Sequence, residues 1–351
     1  MGVGGGGAAR RTRRGLLALV VSVLLTAAGL SGCVKPDRAV VAFLLASDRA
    51  DRWTEVDEPF FRARFEQTCQ GCDYLTYNAQ QDAGRQAQQL DEALEAGADV
   101  VVLNAVDSEA AENLVLTAGD VPVIAYDRYV AGADWFVSVD PEEIGQLIGE
   151  SVVDRVGKRA GVLLVNGPAS DANARTIRSA VSRVLDRNDV RVLAELDPSS
   201  WGAEEAEAFV SENARLLPRV KAVVAANDTQ AGGVLQALEE AGVKRSDYPF
   251  VTGQDAELAA VHRIVGQEQG MTVYKPLPAL AERAADLAVD VLAGDETEGA
   301  SDYEGVPTFL FAPVAVGPAS IARTVLRDRV YDLDEICPPE LLQECEALAL
   351  R

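Results

Sequence analysis

Short β-branched apolar runs alternate with Ala-, Leu- and Glu-rich helical stretches along this chain, and the whole alternation occurs twice. The first series of runs covers 40–45, 74–77, 100–103, 121–125 and 135–139; the second covers 161–165, 191–196, 222–225, 250–252 and 271–273. Runs that are apolar throughout, rather than at every second residue, are those of a sheet covered on both faces. Helical stretches between them (59–67, 83–96, 109–118, 142–155, 174–186, 203–216, 230–241 and 256–267) supply the covering layers of a parallel α/β sheet. The pattern predicts two similar doubly wound parallel-sheet lobes joined by several crossing segments. The first lobe is expected over 40–138 and 276–310, the second over 139–275 and 311–333, and a cysteine-containing tail over 334–351.

The residues after each strand are polar, and similar in the two series. Leu45 leads through Ser47, Asp48 and Arg49 to Arg52-Trp53, as Val165 leads through Asn166-Gly167 to Asp171 and Asn173. Asn104 and Asp107 match Asn227 and Asp228, and Tyr126-Asp127-Arg128 matches Gly253-Gln254-Asp255. In open α/β sheets ligands bind beyond the carboxyl ends of the strands, so two facing lobes make a cleft lined with these groups. Many of them have a plainer role as helix N-caps, which suits Asp107-Ser108, Asp140-Pro141 and Asn227. Trp135, inside a strand, suits a core. Capping explains neither the Arg of Asp127-Arg128 nor Trp53 and Trp201 in polar loops. Acids and amides that accept from hydroxyls, fixed cationic donors, and aromatic planes for a C–H face together suit a sugar. An anionic ligand would call for fewer acids.

Seven stretches, in order, carry a resemblance to the periplasmic sugar-binding proteins of ABC importers. They are Arg52-Trp53, Val123-Ile-Ala-Tyr-Asp-Arg128, Val137-Ser-Val-Asp140, Asp171-Ala-Asn-Ala174, Ala226-Asn-Asp-Thr-Gln-Ala-Gly-Gly233, Gly253-Gln-Asp-Ala-Glu-Leu258 and Met271-Thr-Val-Tyr-Lys-Pro276. The resemblance implies the type I periplasmic binding fold, with Arg52, Asp127 and Arg128 lining the cleft from the first lobe. Asp171, Asn173, Trp201, Asn227 and Asp255 would line it from the second, Lys275 would stand at a crossing, and Trp53 offers a further stacking surface. It also implies a monomer that needs no cofactor or metal, closes on a monosaccharide and hands it to a membrane permease. D-xylose is the first choice, since a hexose adds a hydroxymethyl group that a tight pocket must house. A sugar receptor serving a membrane sensor would carry the same residues. A carbohydrate-processing enzyme would need one carboxyl of raised pKa opposite a second across the scissile bond, whereas these acids have Arg and Asn neighbours that favour the ionised form.

The formal net charge of −23 argues against nucleic acid, whose phosphates call for clustered Lys and Arg. One histidine, His262, leaves little for a Ser-His-Asp triad or a multi-histidine metal site. Arg10 to Arg14 precede an apolar stretch over 16–30 and then Ser31-Gly32-Cys33, the order of a signal peptide over 1–32. The apolar stretch is short of the ~20 residues that span a bilayer, so lipidation of Cys33, a tether over 33–39 and anchorage on the outer face of the plasma membrane are expected. Export by ordinary secretion or by a twin-arginine route (Thr12-Arg13-Arg14-Gly15-Leu16-Leu17) stays open. Cys69, Cys72, Cys337 and Cys345 remain in an oxidising compartment. Of their three pairings, Cys69–Cys72 and Cys337–Cys345 are favoured because each pair is close in sequence.

Overall fold

A computed structural model of the chain describes residues 38–351 apart from 48, 49, 51, 296 and 298, together with residues 1, 2 and 4. Cys33 and the expected leader apart from residues 1, 2 and 4 lie outside the described residues, as do Asp48 and Arg49. The strands are β1 (Val40–Leu45), β2 (Asp73–Asn78), β3 (Val100–Leu103), β4 (Val123–Tyr126), β5 (Trp135–Val139), β6 (Gly161–Val165), β7 (Arg191–Leu196), β8 (Val220–Ala225), β9 (Phe250–Val251), β10 (Thr272–Tyr274), β11 (Ser301–Tyr303), β12 (Val306–Phe311) and β13 (Val314–Val316). One sheet runs β11-β12-β5-β4-β3-β1-β2, a second runs β7-β6-β8-β9, and β10 and β13 form a two-stranded sheet. All pairs in the two larger sheets are parallel except β11–β12. The second sheet repeats the order of the first, second strand beside first and then third and fourth, so each lobe has its switch point at the same place. That point is where a doubly wound sheet opens a crevice.

The helices are α1 (Glu58–Thr68), α2 (Ala83–Glu95), α3 (Ala111–Ala118), α4 (Pro141–Val156), α5 (Ala172–Arg187), α6 (Ala203–Glu212), α7 (Asp228–Glu240), α8 (Leu258–Val265) and α9 (Leu277–Ala293). Side-chain caps start several of them where a strand has just ended. Asp140 accepts from the Glu142 and Glu143 amides, Asp171 from those of Asn173 and Ala174, and Asn227 from that of Gln230. Each cap satisfies amides that the first turn leaves without partners and is worth about 1 kcal/mol. Strand β1 is buried along its whole length, as a strand covered on both faces must be. Helices α4 and α5 approach closely because Gly145 and Gly149 have no Cβ; one would fall 2.5 Å from the Ile177 carbonyl oxygen and 2.7 Å from Val184 Cβ respectively.

Two features differ from the sequence reading. The helix expected over 203–216 ends at Glu212 and continues as a tighter turn, Ala214–Arg219, because Pro218 has no amide to extend it. Strands β11 to β13 were not expected, since they are short, partly exposed and interrupted by Pro307 and Pro313. The chain leaves the first sheet after β5, returns through Lys275-Pro276 into α9, and leaves again between β12 and β13. Residues 334–351 pack against α8, where Ile336, Cys337, Cys345 and Leu350 share a buried cluster with Val261, Ile264 and Val265. Half-buried His262 lies there too, with Nε2 2.6 Å from the Glu335 carbonyl oxygen.

Candidate functional site

A cavity of about 260 Å³ lies between the carboxyl ends of the two sheets. Arg52, Trp53, Asp127, Arg128, Asp171, Asn173, Trp201, Asn227, Asp255 and Lys275 all line it. Every residue expected from the sequence therefore meets at one place, although they are spread across more than two hundred positions of the chain. Asp171 and Asn227 are caps and cavity residues at once. Asp107, expected as a cap, instead accepts from the Glu109 and Ala110 amides in the turn before α3, whose N-cap is Ala110, and it also lines the cavity. Trp135 stacks on Phe309 outside the cavity, with centroids 6.2 Å apart.

Backbone geometry sets two of the carboxylates. Asp127 and Asp255 each follow a strand of their lobe and hold φ at 64° and 97°, a region that side chains seldom adopt. Hydrogen bonds hold them there, from the Asp127 amide to the Val137 carbonyl oxygen and from the Asp255 amide to that of Val273. Their carboxylates meet the same two cations. Arg52 Nη1 lies 3.0 Å from Asp127 Oδ1 and 3.2 Å from Asp255 Oδ1, and Lys275 Nζ lies 2.9 Å from Asp255 Oδ1 and 3.9 Å from Asp127 Oδ1. All four residues are at least nine-tenths buried. Burial alone would raise the Asp127 carboxyl, but Arg52, Lys275 and Arg128 hold it below the ordinary aspartate range. Burial also opposes the Arg52 charge, yet Asp127, Asp57 and Asp255 keep its pKa well above that of a free arginine. The Asp127 carboxylate stays ionised.

The lobes are also bridged at the rim. Arg128 Nε lies 2.8 Å from Asp171 Oδ2, which accepts from the Trp201 indole N–H at 3.2 Å. The Asn173 side-chain amide donates to the Asp127 carbonyl oxygen, and the Ser108 amide donates to that of Ser170 at 2.9 Å. Arg52 lies over the Trp53 ring, 4.0 Å from its centroid, so that indole faces a cation as well as the cavity. Asn173 Oδ1 and Gln254 Oε1 are buried acceptors without a partner among the described residues. An acceptor left so is costly, and a donor from a bound molecule would satisfy it. Among the described residues no group of His, Cys, Asp and Glu could hold a metal ion.

Sequence reasoning missed Asp57 and Ser138, and gave Gln254 and Asp228 no role of their own beyond a place after a strand. Ser138 and Gln254 line the cavity, and the Ser138 hydroxyl donates to the Asp127 carbonyl oxygen at 2.6 Å. Asp228 is fully buried behind the Asp255 loop. It accepts from Gln269 Nε2 at 2.7 Å, the Thr272 hydroxyl at 2.8 Å and the Glu257 amide at 3.1 Å. Burial pushes its carboxyl up to about 7, against the pull of Arg263. The signal that could have found it is Gly253, where a Cβ would fall 2.0 Å from Asp228 Oδ1.

A cleft of this kind between two like-ordered lobes defines a solute-binding protein. Residues 41–296 match the family model described as the periplasmic binding protein domain, and the chain belongs to that family. It is 33% identical over 302 residues to the D-xylose-binding periplasmic protein of Haemophilus influenzae, a match covering 82% of this chain and 89% of the relative. Identity to the protein of that name from Escherichia coli is 30% over 335 residues, or 92% and 98% of the two chains. Among solved structures, an ABC transporter solute binding protein from Clostridium phytofermentans with bound β-D-glucose superposes with a TM-score of 0.74 at 20% identity, covering 85% of this chain and 99% of that one. Its relatives bind and carry solutes; they are not enzymes.

Proposed function

We propose that the chain is an extracytoplasmic sugar-binding protein that closes on an aldopentose, D-xylose first, and delivers it to an ABC transporter permease. The observation that carries this reading is the cavity where carboxyl and amide acceptors and fixed cationic donors from both lobes converge beside two indoles. Asp127 and Asp255 accept from sugar hydroxyls, Arg52 holds both carboxylates in place, and Lys275 and Arg128, already positioned by ion pairs, offer their remaining N–H groups. Asn173 Oδ1 and Gln254 Oε1 are acceptors still to be met. The relatives named for D-xylose support the choice of pentose. Because groups of each lobe act on one ligand, binding favours the closed arrangement over one hinged open.

A panel of pentoses and hexoses followed by thermal shift and calorimetry tests the reading. A ligand that binds only the folded state stabilises by about 2.7 kcal/mol at a hundred times its Kd, so D-xylose is expected to raise the midpoint most and glucose less. No shift with any pentose would overturn it. Cys33 is proposed as the lipid-bearing first residue of the mature protein. Cys33→Ala is then expected to move the protein from the membrane to the soluble fraction, and continued retention would rule the anchor out. The Cys69/Cys72 and Cys337/Cys345 pairs, with Cα atoms 5.5 and 6.0 Å apart, are read as disulfides that suit an exported chain.

A further inference from the structure

We propose that Asp57, which does not line the cavity, is the positioning residue that turns Arg52 toward both lobes; the proposal rests on the sugar-binding reading above. Arg52 offers a planar fork of five donors. Asp57 takes one edge of it, with Oδ2 2.9 Å from Nε and Oδ1 2.6 Å from Nη2. Of the three donors that remain, the two on Nη1 meet Asp127 of the first lobe and Asp255 of the second. The grip depends on local backbone. Residues Trp53–Asp57 form a widened helical turn closed by a bond from the Glu58 amide to the Trp53 carbonyl oxygen. In an ordinary helix, positions 52 and 57 would lie roughly 140° apart around the axis; the wider turn brings them together, a device found often at functional sites.

Tyr126 fixes the carboxylate in turn. Its hydroxyl donates to Asp57 Oδ1 at 2.5 Å, and its ring packs edge-on against Phe43 with centroids 5.2 Å apart. Tyr126 directly precedes Asp127, so the carboxylate that orients Arg52 is tied to the strand end that carries a carboxylate Arg52 must reach. Asp57 is fully buried. Without it, the freed Nε–Nη2 edge would be drawn to Asp127 as a two-pronged pair within one lobe, and the link to Asp255 would be lost. Asp57 thus acts on sugar affinity through Arg52 and never touches the sugar.

A double-mutant cycle on the full chain tests this, read by calorimetry with whichever sugar the wild type binds best and by melting temperature. Asp57→Asn is expected to weaken binding roughly ten-fold or more, since it loosens the bonds to the fork, and Tyr126→Phe by a smaller factor of about three, since it frees the carboxylate that makes them. In an Arg52→Lys background, whose ammonium has no edge to orient, Asp57→Asn should change affinity by less than about two-fold. Equal losses in the two backgrounds, or unchanged affinity in Asp57→Asn, would overturn the proposal, because a merely structural carboxylate lowers stability alike in both. Should Asp57→Asn fail to fold, Tyr126→Phe carries the same comparison. A wild type that binds no sugar would remove the sugar reading and the role of Asp57 with it; a wild type that binds but gives an additive cycle would remove the role of Asp57 alone.

Discussion

Asp255→Ala is expected to weaken D-xylose binding by about 2–5 kcal/mol, the loss usual when one partner of a buried, hydrogen-bonded charge pair is truncated. Two cations depend on this carboxylate, Arg52 Nη1 at 3.2 Å and Lys275 Nζ at 2.9 Å. Removing it leaves Arg52 with partners of the first lobe alone, Asp57 and Asp127, leaves Lys275 with Asp127 at 3.9 Å, and takes away an acceptor for the sugar as well. Alanine also tolerates poorly the φ of 97° at this position, so the backbone adds to the loss. Asp255→Asn separates the two causes, because asparagine accepts positive φ more readily and keeps the shape while removing the charge. Calorimetry on both variants, with melting temperature as the control for folding, decides. A large loss in both places the carboxylate in the site; a loss in Ala with full affinity in Asn would make the backbone responsible. Unchanged affinity in both would remove Asp255 from the site.

The residues that sequence could reveal are those whose chemistry conflicts with their surroundings. Arg128 after a buried strand and Trp201 among serines have no local use, and both line the cavity. The strands were legible for a related reason. Runs such as Val100–Leu103 are apolar at every position, which only a sheet covered on both faces explains. Ser301–Tyr303 and Val314–Val316 lack that signature because each pairs antiparallel along one edge and stays partly exposed. Asp57 was illegible for a different reason. On an ordinary helix it reads as one more solvated acid, and only the widened turn at Trp53–Asp57 faces it inward. Asp228 stood in full view beside Asn227, yet its partners Gln269 and Thr272 come from a stretch some forty residues later. Spacing cannot disclose contacts that only the tertiary fold makes.

Joint replacement of Cys337 and Cys345 by alanine is expected to lower stability by about 2–3 kcal/mol, since a bond closing even a short loop removes that much freedom from the unfolded chain. The separation is 8 residues for this pair and 3 for Cys69 and Cys72, so the tail pair should contribute more. Its surroundings make the effect functional as well. Cys345 and Ile336 are fully buried against Val261 and Ile264 of α8, and Ala256 belongs to the same cluster. Ala256 is the residue after Asp255, so a loosened tail loosens the support of the loop that carries the second lobe's carboxylate. Urea unfolding of the wild type with and without a reductant, beside the double alanine variant, checks the claim. The wild-type midpoint should fall on reduction by more than the variant's does, and peptide mapping without reduction should find each pair linked. A wild-type midpoint indifferent to reductant, or four free thiols in the map, would show that packing alone holds the tail against α8.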